Sequence, residues 1–115
     1  MIIKPKNKAL RIAELAADKK ASDIVILDLR KVLNFCDFFV IVTGTSKIHN
    51  KAIADGIFDG LRQEKEQVGH REGYAQAAWI VLDCSSVIVH VFDEETRNFY
   101  DLEHLWAAVE YISSE

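Results

Sequence analysis

The chain has 115 residues, of which 50% are hydrophobic and 28% are charged, and its formal net charge is −4. This balance is ordinary for one globular domain spanning 1–115, and it excludes a chain that is disordered throughout. The acidic charge, with no basic stripe, argues against a wide phosphate-binding surface. We therefore expect little or no direct nucleic-acid binding and a basic protein partner instead.

The first half of the chain predicts two helices and two buried strands. Ile53, Ile57 and Leu61 recur at helical spacing, which is typical of a helix with one buried face. Two near-continuous apolar runs, rich in β-branched residues, are typical of strands buried on both faces. We predict a helix at 8–20, strands at 24–29 and 38–42, and a second helix at 47–66.

The second half predicts a hairpin and a terminal helix. Its elements are a short irregular strand or loop at 69–73, a hairpin of strands at 78–83 and 87–92, and a helix at 102–111. The acidic cluster 93–95, just before Arg97, is interpreted as a solvated turn whose carboxylates can pair with that arginine. The element order predicts an α/β (α+β mixed) fold, with helices on a central mixed sheet of about five strands.

The cysteines and histidines do not have the sequence spacing of a known catalytic or metal-binding motif. Cys36 and Cys84 lie in apolar surroundings and are expected to be buried free thiols. Each adjoins an aspartate, and a neighbouring negative charge raises a thiol pKa, which works against a nucleophilic role. The histidines do not have the spacing of a metal motif, so no metal site is expected.

The sequence gives no sign of a membrane or export segment. No apolar run approaches the roughly 18 residues that a spanning helix requires. The first residues lack the apolar core of a signal peptide and the arginine- and serine-rich character of a transit peptide. We expect a cytoplasmic protein without a membrane partner.

Gly44, Thr45 and Ser46 form a turn between a predicted strand and a predicted helix. A helix start presents free N–H groups, so the turn is a candidate anion site as well as a helix cap. Nucleotidyltransferases hold triphosphate at such a place, but they also need a D-x-D pair of carboxylates for metal ions. Here Asp55 and Asp59 lie one helical turn apart. Simple capping is favoured, and a weak or relic anion site stays open.

Two side chains of the predicted hairpin have both a structural and a functional interpretation. Trp79 points to the sheet face opposite Ile80, where it can meet a partner or lie beneath a helix of the chain itself. His90 shares a face with Phe92. It is either a partly buried histidine with its hydrogen bonds satisfied or a polar element of an aromatic binding surface.

Three segments together resemble the ribosomal silencing factor family, also called Iojap-related proteins. They are KKASDIVILDL (19–29), DFFVIVTGTS (37–46) and EGYAQAAWIVLDCSSVIVHVFDEETRNFYDLEHLW (72–106), and the resemblance covers roughly 10–106. Two positions depart from the family pattern. Ala78 stands where a glycine is common, and Ser85-Ser86 stands where the family commonly has a Gly-Asp type of turn.

The resemblance implies a non-enzymatic translation repressor that needs no cofactor. Family members are similar in fold to nucleotidyltransferases but lack the catalytic carboxylates. They bind the large ribosomal subunit through the intersubunit-face protein numbered fourteen, block docking of the small subunit and lower translation under nutrient limitation. The motif positions expected to contact the partner are Glu72, Tyr74, Trp79, His90 and Tyr100. Those assigned first to structure are Asp37, Arg97, Glu103 and Trp106.

Three alternatives stay open at this point. The protein could be an assembly factor or adaptor that binds precursors of the large subunit. It could also act as a homodimer, since an exposed aromatic face can serve dimerisation as well as partner binding. A relic nucleotide binder acting at Gly44–Ser46 is the third.

Overall fold

The computed structural model describes residues 4–66, 68–102 and 110–112. Within these ranges three helices and six strands follow one another along the chain. In chain order they are α1 (Pro5–Asp18), β1 (Ser22–Asp28), β2 (Phe38–Gly44), α2 (Lys47–Gln63), β3 (Arg71–Glu72), β4 (Trp79–Cys84), β5 (Val87–Asp93), α3 (Glu94–Tyr100) and β6 (Glu110–Ile112).

The described strands form one mixed sheet. Their spatial order is β3-β4-β5-β2-β1-β6. The central pair, β2 and β5, runs parallel, and every other neighbouring pair runs antiparallel. All seven residues of β2 are buried, as its continuous apolar run predicts. The predicted mixed sheet with flanking helices is confirmed, although it has six strands instead of about five. Its likeness in topology to nucleotidyltransferases stays a prediction.

The two long helices, α1 and α2, cover one face of the sheet, which we call the helix face. Their apolar residues join those of the alternate strand positions Ile26, Val40, Leu82 and Val89 in one core. The helices also pack closely on each other, because a Cβ atom at Gly60 would lie 2.5 Å from Leu15 Cδ2. The absence of a side chain at Gly60 lets the two helices approach closely and exclude solvent from the core.

The opposite side of the sheet carries a second, smaller apolar cluster, and we call it the aromatic face. Its buried members include Leu27, Phe39, Ile41 and Phe92, and Trp79 packs against them. Strand alternation separates the two sets of side chains, so a residue's face follows from its register. Trp79 therefore points away from α1 and α2, as its sequence pattern predicts.

The acidic cluster 93–95 is a helix start, so its interpretation as a turn is wrong, although Glu94 and Glu95 are exposed to solvent as expected. Asp93 caps α3, because its Oδ1 accepts a hydrogen bond from the backbone N–H of Thr96 at 2.8 Å. Glu94 and Glu95 occupy the first turn. Carboxylates are favoured there by the partial positive charge of a helix N-terminus, and this is what the sequence interpretation overlooked.

The predicted terminal helix at 102–111 is wrong at its far end. Residues 110–112 form β6, which pairs antiparallel with Ile26–Asp28 of β1. Pairing with a distant strand outweighs the local helical pattern there. The middle of that prediction, 103–109, lies outside the described residues, as do Glu103 and Trp106.

The two predicted long helices are confirmed with shifted ends. The first begins at Pro5 because proline is well tolerated in the first turn of a helix. The second ends at Gln63 instead of 66. No helix within the described residues is both long and apolar enough to cross a membrane.

Candidate protein-interaction surface

Four aromatic rings gather on the aromatic face at the end of the sheet beside α3. The Trp79 ring stacks on Phe92 with centroids 4.9 Å apart, and it contacts the Tyr100 ring at 4.7 Å. The His90 ring lies 5.9 Å from Trp79. Strands β4 and β5 place Trp79 opposite Phe92 in register, and α3 brings Tyr100 over them. We call Trp79, His90, Phe92 and Tyr100 the aromatic cluster.

His90 fixes the orientation of the Trp79 ring. The indole Nε1–H donates a hydrogen bond to His90 Nδ1 at 3.0 Å, so Nδ1 has no proton and Nε2 carries it. His90 is only 6% exposed. Burial lowers the pKa of the imidazole to about 4, which keeps the ring neutral at physiological pH. The Nε2 atom is buried and has no hydrogen-bond partner within the described part of the chain.

Arg97 ties α3 to the sheet. Its Nη1 donates to the carbonyl oxygen of Asp23 at 2.6 Å and to the Thr43 hydroxyl oxygen at 2.7 Å. The side chain is buried, and it borders an open cleft of about 560 Å³ between β1 and α3. Since a buried guanidinium must be hydrogen-bonded, these contacts hold the helix that carries Tyr100 in place. This geometry supports the structural role expected for Arg97.

The rim of the aromatic cluster is open to solvent. Tyr100 is 48% exposed, and its neighbour Phe99 is 80% exposed. The two rings meet edge to face with centroids 5.0 Å apart. Large exposed rings beside a packed aromatic cluster are typical of surfaces that another protein covers.

Tyr74 lies on the other side of the sheet, among charged residues at the outer side of α2. Its hydroxyl donates to Asp55 Oδ2 at 2.9 Å, and Arg71 Nη1 bonds Asp55 Oδ1 at 2.7 Å. The Arg71 guanidinium also lies 4.1 Å from the Tyr74 ring centroid. The bond to Asp55 is the main cause of a raised pKa for the Tyr74 hydroxyl. Tyr74 is therefore held rigidly, but away from the aromatic cluster.

Glu72 belongs to the short edge strand β3 and shares the aromatic face with Trp79. The register runs from Glu72 to Val81 and on to His90. Its carboxylate lies 3.3 Å from His70 Nε2, and both side chains are largely exposed. Of the five predicted contacts, the structure groups three in the aromatic cluster, places Glu72 at the edge of the same face and sets Tyr74 on the helix face.

The turn at Gly44, Thr45 and Ser46 is engaged in internal contacts. Ser46 caps α2, because its hydroxyl oxygen accepts from the backbone N–H of His49 at 3.0 Å. The Thr45 N–H donates to His49 Nδ1 at 2.9 Å. The predicted cap is confirmed. Anion binding at this turn stays a prediction, and the Thr45 N–H would have to leave His49 to take part in it.

Asp55, Cys36 and Cys84 are either hydrogen-bonded or held as protonated thiols in this structure. Both oxygens of Asp55 accept hydrogen bonds, from Arg71 and Tyr74. Cys36 and Cys84 are free and buried, as predicted. Burial raises the pKa of Cys36 to about 11 and that of Cys84 to about 12, so both stay protonated thiols. Within 4–66, 68–102 and 110–112, no three histidine, cysteine or carboxylate side chains group as a metal site would require.

Asn50 is a buried polar residue whose role the sequence interpretation missed. It is fully buried, and its Nδ2 donates to the carbonyl oxygen of Ala77 at 2.7 Å. A sequence signal did exist, because Asn50 falls on the apolar stripe of α2 with Ile53 and Ile57. A lone amide on such a stripe indicates a dedicated hydrogen-bond partner elsewhere in the fold.

Comparison with known proteins gives a family for this architecture. A family model described as "Ribosomal silencing factor during starvation" matches residues 3–115. The chain belongs to the ribosomal silencing factor family. A ribosomal silencing factor of Bacillus subtilis is 40% identical over 98 residues, covering 84% of this chain and 83% of that relative. The chloroplastic Iojap protein of Zea mays is 31% identical over 98 residues, which cover 85% of this chain and 42% of the maize protein.

Solved structures share the fold of this family member. A crystal structure of a Chromobacterium violaceum protein superposes with a TM-score of 0.89 at 28% identity, covering 91% of this chain and 88% of the other. A Bacillus halodurans crystal structure gives a TM-score of 0.81 at 32% identity, covering 93% and 98%. The expected family resemblance is confirmed over nearly the whole chain.

Proposed function

We propose that this protein lowers translation under nutrient limitation by binding the large ribosomal subunit in the cytoplasm. The contact is made with the ribosomal protein numbered fourteen on the intersubunit face. The bound protein then occupies space that the small subunit needs, so the subunits fail to join. This mechanism requires affinity and position and no chemical step.

The observation that carries the proposal is the family match over residues 3–115. Two properties of the molecule support it. The net charge of −4 favours a basic partner, since opposite charges speed association and exclude wrong partners. The aromatic cluster with its exposed rim at Phe99 and Tyr100 offers rings of the kind that dominate binding energy at protein interfaces.

The contact surface in this proposal is centred on the aromatic face. Trp79 and His90 form its rigid base, since their hydrogen bond and ring packing fix both side chains before any partner arrives. A side chain already held in its bound orientation loses less entropy on binding. Tyr100 provides the accessible edge. Glu72 extends the surface to β3 at the edge of the sheet. A partner would contact Tyr74 by extending past β3 to the helix face.

Subunit joining is the test of this function. Purified large and small subunits are mixed with magnesium, with and without the protein, and separated on a sucrose gradient. The proposal predicts fewer joined ribosomes and more free subunits as the protein concentration rises, with the protein in the large-subunit fractions. Joined ribosomes that stay at the control level, with the protein at saturating concentration, would overturn it.

Phe99→Ala and Ile48→Ala form a matched pair for this assay. Both remove a large exposed apolar side chain, 80% exposed at Phe99 and 82% at Ile48. Phe99 lies beside the aromatic cluster on α3, whereas Ile48 lies in the first turn of α2. The proposal predicts weaker inhibition of joining for Phe99→Ala and unchanged inhibition for Ile48→Ala.

A further inference from the structure

Asn50 connects α2 to the segment 73–78, which joins β3 to β4 and which we call the 73–78 loop. The side-chain Nδ2 of Asn50 donates to the carbonyl oxygen of Ala77 at 2.7 Å. A carbonyl oxygen can only accept, so the NH₂ end of the amide has to face Ala77. This single contact therefore fixes which way the buried amide is turned.

Gly44 makes the room that this arrangement needs. The Oδ1 atom of Asn50 lies against Gly44, where a Cβ atom would overlap it. That oxygen is buried and has no hydrogen-bond partner among the described residues. A buried acceptor without a partner is unfavourable. Burying the amide oxygen without a partner is therefore a cost to the fold. What the Asn50 side chain contributes is the hydrogen bond to Ala77.

The 73–78 loop has a constrained backbone that needs support from outside. Gly73 has a φ of 76° and lies so close to the Trp79 carbonyl that a Cβ atom would overlap it. Ala77 has a φ of 61°, in the left-handed region, and its N–H donates to the Gly73 carbonyl oxygen at 2.8 Å. Residues other than glycine keep such a conformation only where the surrounding contacts hold them.

We propose that Asn50 is a positioning residue for partner binding. Through Ala77 it sets the backbone of the 73–78 loop, and that loop carries Tyr74 and leads directly into Trp79. Asn50 is fully buried and so acts without touching the partner. The inference rests on the proposed function, because it takes Tyr74 and Trp79 as contacts of the large subunit.

Two variants test this role, one by removing the amide of Asn50 and the other by displacing it. Asn50→Ala removes the donor to Ala77. Gly44→Ala keeps the donor but pushes the amide from the position that Gly44 leaves free. Ile57→Val is the control for lost stability, because it trims the same buried stripe of α2 without removing a hydrogen bond. Each variant is compared with the unchanged protein by backbone hydrogen exchange and by pelleting with purified large subunits.

The inference predicts faster exchange at the Ala77 amide, which donates to the Gly73 carbonyl oxygen, in Asn50→Ala and Gly44→Ala. Exchange at Val89 and Val91, in the centre of the sheet, stays as in the unchanged protein. Affinity for large subunits falls about tenfold in both variants and is retained in Ile57→Val. If Asn50 were merely structural, exchange would become faster across the whole sheet. Binding would then weaken in proportion to the loss of stability, in Ile57→Val as well as in the two test variants.

Two results would overturn the positioning role. One is an unchanged exchange rate in the 73–78 loop of Asn50→Ala, and the other is full affinity despite faster exchange there. A failure of the unchanged protein to pellet with large subunits would instead overturn the proposed function. In that case the exchange measurement alone still decides whether Asn50 orders the loop.

Discussion

The indole Nε1–H of Trp79 donates to Nδ1 of His90 across the antiparallel pair β4–β5, with 3.0 Å between the two nitrogens. This bond selects the neutral tautomer of His90 that carries its proton on Nε2. It also prevents free rotation of the largest ring on the aromatic face. Both side chains belong to the set expected to contact a partner, so local structure and recognition depend on the same bond.

Removing the Trp79 donor should destabilise the protein while leaving an aromatic ring in place. Trp79→Phe leaves His90 Nδ1 buried without a partner, and we expect a loss of about 1–3 kcal/mol in the free energy of unfolding. Urea denaturation followed by circular dichroism measures it. In a double-mutant cycle with His90→Phe, the two losses should be less than additive, because either change removes the same bond. Full additivity would show that the bond contributes nothing.

The stability of the protein should fall on mild acidification because of His90. The folded state holds the imidazole pKa at about 4, whereas an unfolded histidine titrates near about 6.5. Between these values the unfolded chain binds a proton that the folded protein does not. The contribution of neutral His90 is therefore complete above about pH 6.5 and is lost progressively down to about pH 4, by on the order of 3 kcal/mol.

Urea midpoints measured between pH 4 and 8 test this dependence on pH. His90→Phe removes the titrating group, so its stability should change less steeply across that window than that of the unchanged protein. Parallel curves for the two proteins would contradict the buried, neutral state of His90.

Loss of the Arg97 side chain should weaken the attachment of α3 to the sheet. Arg97→Ala leaves the Thr43 hydroxyl and the Asp23 carbonyl oxygen without this donor, and we expect a loss of about 1–3 kcal/mol. Binding to large subunits should fall as well, because α3 carries Tyr100. Arg62→Ala, at an exposed position near the end of α2, is the matched control and should leave both quantities unchanged. Equal effects of the two variants would refute the attachment role.

Truncation of Tyr100 should weaken binding more than it weakens the fold. The ring is 48% exposed and packs on Trp79 at 4.7 Å, so it offers a partner an accessible, supported surface. Interface hot spots of this kind lose about 2 kcal/mol or more on change to alanine, which is roughly thirtyfold in affinity. Titration of large subunits with labelled protein measures it. An affinity within twofold of the unchanged protein would remove Tyr100 from the contact surface.

The strands and the faces of the sheet were predictable because they depend on local patterns. The apolar runs of β2 and β5 and the alternation around Trp79 identify buried strands and the side to which each residue points. The cap at Ser46 is likewise a local feature, formed with the N–H of His49 three residues on.

Helix α3 was missed although its cap at Asp93 is a local signal, whereas the other missed features depend on contacts between distant parts of the chain. Strand β6 exists through its pairing with β1, and Arg97 finds its acceptors at Asp23 and Thr43. The bond from Asn50 to Ala77 joins α2 to a loop that precedes β4. A single sequence gives no register between such segments. It could therefore indicate which residues were candidates, but not that Tyr74 and Trp79 lie on opposite faces.

Sedimentation with purified large subunits, small subunits and joined ribosomes tests the central claim most directly. The protein is pelleted with each particle at physiological salt, alongside Trp79→Ala. The account predicts that the unchanged protein pellets with free large subunits and with neither small subunits nor joined ribosomes, and that Trp79→Ala stays largely in the supernatant. Equal pelleting with small subunits or with joined ribosomes, or no pelleting with large subunits, would contradict it.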